Sequence, residues 1–278
     1  MRFTKAHGLG NDFILLPAAG APEGPPQGWV ARLCDRQTGI GADGVLLYGV
    51  EHRRRASMRL LNADGSEAEI SGNGLRCLSA SLVRAGLLDP GHTVLTGAGE
   101  RASQVSSQGP SRYRVTCDLG EPILSSAAIP VRLDPPRTPV VDHALDVDGR
   151  QVTVTATSLG NPHCAVFVDE PPDDRLLHTL GPQLERHAFF PRRTNVEFVT
   201  VRAPSELRVR FWERGVGYTS ASGTGAASAA VAAVLTGRGA RRVSVICDGG
   251  TLEVEWPAAG TLRQTGDVEV VFTGEWLD

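Results

Sequence analysis

Lysine is almost missing from this chain: 278 residues hold 27 arginines but a single lysine, Lys5. Pyridoxal phosphate is carried on a lysine amine, so one candidate near the N-terminus argues against pyridoxal chemistry. Cysteine is sparse as well. Cys34, Cys77, Cys117, Cys164 and Cys247 are odd in number, widely separated and contain no CxxC pair, which excludes a disulfide framework and a zinc site. The seven histidines show no HxxxH or related spacing, so no metal is expected. Blocks of one charge are also lacking. The net charge is −3, and the one basic cluster, Arg53-Arg54-Arg55, reads as a solvated loop, so neither nucleic acid nor a membrane surface is an expected partner. No apolar run approaches the length of a membrane span, and the segment MRFTKAHGLGNDF has no apolar signal region. A soluble cytoplasmic protein is the expectation.

What is present suffices for two domains, at about 150 residues each. Hydrophobic residues make up 41% and charged residues 21%, the balance of a chain with a real core. Short alternating runs at Arg112–Asp118, Gln151–Thr157, Asn195–Val201, Leu207–Phe211, Arg242–Ile246 and Leu252–Trp256 read as strands. Only Gly28–Arg36, Leu75–Ala85, Arg175–His187 and Ala226–Leu235 read as helices. The Pro-rich stretches Pro22–Pro26 and Pro135–Pro139 read as connectors. Many strands and few helices give an α+β class.

Two of the helices expose a duplication. Ser71-Gly72-Asn73-Gly74 and Ser222-Gly223-Thr224-Gly225 each open an apolar helix, and each serine is followed 15 residues later by a glycine, Gly86 or Gly237. Nine residues before each serine stands a polar residue, Asn62 or Glu213. Asn11 lies 60 residues before Ser71, and Asn161 lies 61 before Ser222. Four landmarks in matching order argue for two copies of one unit. A Ser-Gly-X-Gly turn at a helix start presents free backbone N–H groups and the positive end of the dipole, a site for a carboxylate or phosphate. Two such ends, one per copy, suit chemistry on both faces of one carbon. The helix Ala226–Leu235 has almost no polar face and should be buried all round, each copy being a curled sheet around one helix. Gly39-Ile40-Gly41-Ala42-Asp43-Gly44 matches the dinucleotide GxGxxG pattern, but Val45-Leu46-Leu47-Tyr48 after it reads as a strand where the fingerprint must open a helix.

The chain resembles the diaminopimelate epimerase family. The resemblance rests on Phe3–Phe13, Thr38–Gly44, Asn62–Ser66, Gly72–Cys77, Gly160–His163, Thr194–Phe198, Trp212–Gly217 and Gly223–Gly225, which span nearly the whole chain in family order. It implies two pseudo-symmetric α/β-roll domains, 1–116 with 265–278 and 117–264, with the active site in the cleft between them. It implies cofactor-free inversion of one α-carbon of LL-diaminopimelate to the meso form, for lysine and peptidoglycan synthesis. By the same resemblance the amides at Gly72, Asn73, Gly223 and Thr224 hold the reacting carboxylate. Asn11, Asn62, Asn161, Asn195, Glu213 and Arg214 bind the substrate's polar groups, Arg214 suiting the distal carboxylate, and His163 assists proton handling. The implied partners are a small amino-dicarboxylate and, as family members are commonly dimers, a second copy of the chain.

The chain departs from the family at the acid/base positions. Family members carry a catalytic cysteine at each helix entry, where this chain has Ser71 and Ser222. A thiol, with a pKa of about 8.5 that falls further at a helix N-terminus, can serve as both base and acid; a serine hydroxyl normally needs an adjacent base. Three explanations stand side by side: deliberate replacement of both cysteines, natural repurposing for another ligand or for elimination or isomerisation, and slow acid/base work by serine itself. Tyr218 and Ser220, where the commoner pattern has glutamate and a bulkier residue, lean towards repurposing. A non-catalytic amino-acid-binding protein is the alternative from a different class.

Overall fold

Phe13-Ile14-Leu15-Leu16 and Val45-Leu46-Leu47 are apolar without alternation, the pattern of strands covered on both faces. In the computed structural model both segments are such strands. The structure describes residues 1–68 and 70–277; Glu69 and Asp278, the latter closing the expected N-terminal domain, lie outside them. The chain divides into two units, Met1–Asp118 with Thr265–Asp278, and Leu119–Gln264.

The first unit runs β1 (Arg2–Gly8), β2 (Asn11–Pro17), α1 (Pro26–Cys34), β3 (Gly44–His52), β4 (Arg55–Asn62), β5 (Glu67–Ala68), α2 (Gly72–Arg84), β6 (Gly91–Thr96), β7 (Gly99–Ser107) and β8 (Arg112–Gly120). The second runs β9 (Val140–Val147), β10 (Arg150–Ser158), β11 (Pro162–Phe167), α3 (Asp174–Glu185), β12 (Asn195–Ala203), β13 (Glu206–Glu213), β14 (Gly217–Thr219), α4 (Gly223–Leu235), β15 (Arg242–Cys247) and β16 (Gly250–Glu255). The last strand, β17 (Leu262–Glu275), pairs antiparallel with β1. The ladders repeat step for step. β1–β2 is antiparallel, β2–β3 parallel across α1, β3–β4 antiparallel and β4–β6 parallel across α2. β10–β11, β11–β12 across α3, β12–β13 and β13–β15 across α4 do the same in the same order. The duplication expected from four landmarks is a duplication of topology.

Each unit is a curled sheet around one helix. Helix α2 packs into a core built from Ala6, Phe13, Leu15, Leu46, Met58, Leu60, Val94, Val105, Val115 and Val268. The alternate residues Ile14, Leu16, Val45 and Leu47 face outward onto Val30 and Leu33 of α1. The two-sided apolar strands therefore lie between two helices. In the second unit α4 is buried from Gly223 to Ala233 and touches β10, β11, β12, β13, β15 and β16. Helix α3 lies on the other face with Leu177, Leu180 and Leu184. Both central helices begin three residues earlier than the apolar periodicity suggests, at Gly72 and Gly223, because the Gly-X-Gly residues are themselves the first turn. Pro26, read as part of a connector, is the first residue of α1, where its missing N–H costs nothing. Gly44 opens strand β3, as the residues after the GxGxxG pattern suggested. Among the described residues no helix is long and apolar enough to cross a membrane.

Candidate active site

The two helix entries have nearly the same geometry. Ser71 (φ −132°, ψ 123°) and Ser222 (φ −132°, ψ 125°) are both N-caps. Each Oγ accepts from the amide three residues on, Gly74 at 3.0 Å and Gly225 at 3.2 Å. Each serine carbonyl closes the first helical bond, from Leu75 at 2.9 Å and Ala226 at 3.0 Å. The amides of Gly72 and Asn73, and of Gly223 and Thr224, precede that bond and are left for a ligand. With the dipole behind them, each pair suits a carboxylate. Glycine at the third helical position follows from packing: a Cβ on Gly225 would lie 2.9 Å from both Phe211 Cδ1 and Ser222 Oγ.

In the first unit the structure brings Asn11 to the α2 entry. The Asn73 amide group donates to Asn11 Oδ1 at 3.1 Å, and the wholly buried Arg76 donates to Asn73 Oδ1. Asn11 Nδ2 donates to Asp43 Oδ2 at 2.7 Å. Arg36 spans Asp43 and Asp12 at 2.7 and 2.8 Å, and Lys5 pairs with Asp12 at 2.7 Å and donates to the Gly41 carbonyl. The single lysine is thus committed to holding the loop behind Asn11. Burial pushes the Asp12 carboxyl up, but hydrogen bonds and charge from Arg36 and Lys5 outweigh it and bring the pKa down to about 2. Asn62 ends β4, exposed, and donates to Ser66 Oγ at 2.9 Å within its own turn.

In the second unit Asn161, His163 and Thr224 form one chain. His163 Nε2 meets Asn161 Oδ1 at 2.9 Å, and Asn161 Nδ2 reaches Thr224 Oγ1 at 3.5 Å. On its other side His163 Nδ1 meets Glu197 Oε1 at 2.7 Å, both side chains being buried. Burial raises the Glu197 pKa, partly offset by the imidazole. Sequence reasoning missed Glu197; the signal was a lone acid inside the apolar run Val196–Val199 of β12. Asn195 donates to the Pro162 carbonyl at 2.9 Å and accepts from the Arg214 amide at 3.0 Å. Glu213 ends β13, as Asn62 ends β4, and the half-buried Arg214 donates to the Arg192 carbonyl at 3.4 Å. Tyr218 donates to Asp248 at 2.9 Å beneath Arg210, and the Ser220 carbonyl accepts from Gly249 at 2.7 Å.

No cysteine of the chain caps either central helix. All five are buried and free. Burial raises every one, Cys34 and Cys117 to about 11 and Cys77 to about 12, the reverse of an activated nucleophile. Among the described residues no three His, Cys, Asp or Glu side chains are grouped to hold a metal ion.

The family model for diaminopimelate epimerase matches residues 3–125 and 155–271. A diaminopimelate epimerase of Desulforudis audaxviator is 47% identical over 280 residues, covering 100% of this chain and 99% of its own length. Another, from Desulfitobacterium hafniense, is 44% identical over 282 residues at the same coverage. In fold the chain resembles a probable proline racemase from Agrobacterium radiobacter (TM-score 0.70, 16% identity, 99% of this chain and 92% of that one). It also resembles a hydroxyproline epimerase from Agrobacterium vitis (TM-score 0.67, 13% identity, 99% and 90%). With family blocks along its whole length and two matched helix entries, the chain belongs to the diaminopimelate epimerase family.

Proposed function

We propose that the chain binds LL-diaminopimelate and inverts one of its α-carbons without a cofactor, giving the meso form. The observation that carries this reading is the repeated serine-capped helix entry, with two open amides and one hydroxyl at each copy. The amide pairs at Gly72/Asn73 and Gly223/Thr224 hold the reacting carboxylate. Asn11, Asn62, Asn161, Asn195 and Glu213 bind the remaining polar groups, His163 assists proton handling, and Arg214 takes the distal carboxylate. Inversion needs a base on one face to remove the α-proton, leaving the electron pair on the carbon and its carboxylate. An acid on the other face then returns a proton to that carbon. Aligned amides stabilise the charge between the two steps. The protein works in the cytoplasm as a homodimer and needs no pyridoxal phosphate.

Serine at both acid/base positions sets the rate. A hydroxyl needs a neighbouring base to act, and among the described residues Ser71 Oγ and Ser222 Oγ are bonded only to helix amides. That observation also favours a second reading, a family member repurposed to bind, eliminate or isomerise another acid. Exchange of the α-proton in heavy water, followed by NMR, separates the two. The protein should bind diaminopimelate but exchange it slowly, and Ser71→Cys with Ser222→Cys should raise exchange and epimerisation by orders of magnitude, at about 1.4 kcal/mol of barrier per tenfold. Each single cysteine variant should do much less. A folded double variant that neither binds nor turns over diaminopimelate would replace the epimerase reading with the repurposed one.

A further inference from the structure

Helix α3 ends on a carboxylate, Glu185, where the helix dipole disfavours an acid. The residue is 2% exposed, so its place is not explained by solvation. Both of its oxygens are used: Oε1 accepts from the Gly215 amide at 3.1 Å and Oε2 from the Trp212 indole at 3.2 Å. Arg193 and Arg186 stand 3.6 and 3.7 Å away and offset the buried charge.

The two donors, at Trp212 and Gly215, bracket Glu213 and Arg214. Residues 213–216 form a tight turn closed from the Val216 amide to the Glu213 carbonyl at 3.1 Å, with Gly215 at φ 77°, so Arg214 occupies a central position. The amide of Arg214 is taken by Asn195 Oδ1 at 3.0 Å and the next amide by Glu185. The matching turn of the first unit is built differently. There the Gly65 amide returns to the Asn62 carbonyl at 2.8 Å, and Asp64 and Ser66 satisfy each other within the turn. Among the described residues only the arginine-bearing turn is held by hydrogen bonds to side chains outside it. The rest of α3 is shaped for the same purpose: Gly181, one turn before Glu185, would place a Cβ 2.7 Å from Trp212 Cγ, and His178 meets the indole edge-on at 5.4 Å.

We propose that Glu185 is the positioning residue that aims Arg214, so that α3 sets the preference for a dicarboxylate over a monocarboxylate amino acid. This rests on the reading that Arg214 takes the distal carboxylate. A charged acceptor on a backbone amide holds the turn more firmly than a neutral one, and a guanidinium that must meet a carboxylate with two parallel bonds tolerates little displacement.

The test compares the intact chain with Glu185→Gln, whose amide group keeps the volume but turns one acceptor into a donor facing another donor. Calorimetry with LL-diaminopimelate and with L-lysine, which lacks the distal carboxylate, gives the discrimination directly. Glu185→Gln should weaken diaminopimelate about tenfold or more, about 1.4 kcal/mol, and leave lysine within about twofold, while exchange at the Gly215 amide rises about tenfold. Trp212→Phe, which removes one donor and keeps the carboxylate, should weaken diaminopimelate and raise Gly215 exchange by less, again leaving lysine within about twofold, and it decides the matter if the glutamine variant fails to fold. Equal losses for both ligands, or unchanged diaminopimelate affinity in a folded variant, overturn the proposal. If the unsubstituted protein binds no diaminopimelate, the proposed function falls, and the Gly215 exchange rate alone decides whether Glu185 positions the turn.

Discussion

A serine oxygen that caps a helix is already accepting a hydrogen bond, and at Ser71 and Ser222 the donor is the third amide of the helix that follows. Against the cysteine that the resemblance implies at each position, serine is therefore not neutral for the fold. Oxygen is a better cap than sulfur and a far weaker acid, so the helix start gains what the chemistry loses. Arg214 presents the opposite case. Its backbone is pinned by Asn195 and Glu185, while among the described residues its guanidinium has one long bond, to the Arg192 carbonyl at 3.4 Å. A charge so lightly held is available to a ligand. Arg214→Ala should weaken diaminopimelate binding by roughly 2–5 kcal/mol, the range for breaking a desolvated charge pair, with far less effect on lysine. Calorimetry on both ligands checks this, and equal losses would make Arg214 a structural residue.

Elements were more legible than the contacts between them. Three of the helices and the six named strands could be read because each has its own period, α4 because it is an unbroken run of small apolar residues, and the two serine caps because N-cap chemistry is local. Strand β14, three residues long, and β5, two residues long, carry no period to read. The site divides along the same line. Asn11, Asn73, Asn161, His163 and Glu197 stand in motifs, but Glu185 and Glu197 act through partners that sequence spacing does not connect. Glu185 closes an ordinary amphipathic helix and reaches Trp212 and Gly215, 27 and 30 residues on. The glycines of the helix entries make the element-scale prediction. Gly225→Ala forces a methyl group into the Phe211 ring and the cap oxygen, so the first turn of α4 must shift. We expect a loss of about 1–3 kcal/mol, as for other overpacked sites, read from the urea midpoint, together with weaker ligand binding. A variant as stable as the parent would show that the entry is looser than its packing.

Across the whole molecule, the charges behind Asn11 link stability to acid. Asp12 has a folded-state pKa of about 2 against an ordinary 3.8. A depressed carboxyl contributes stability above its unfolded pKa and loses it as the pH falls through the folded one. The urea midpoint should therefore drop between about pH 4 and pH 2, and Asp12→Asn should start lower and fall less steeply there. Parallel slopes for the two proteins would assign acid sensitivity elsewhere. Chain order adds a different consequence. The second unit interrupts the first, whose last strand segment begins only at Thr265. Strand β1 lies between β2 and β17. On the ribosome, β1 therefore waits as an unpaired edge while all of residues 119–264 are made, and such an edge can pair with any free strand it meets. The inserted unit arrives as one uninterrupted stretch and can finish first, so the unit translated first is completed last.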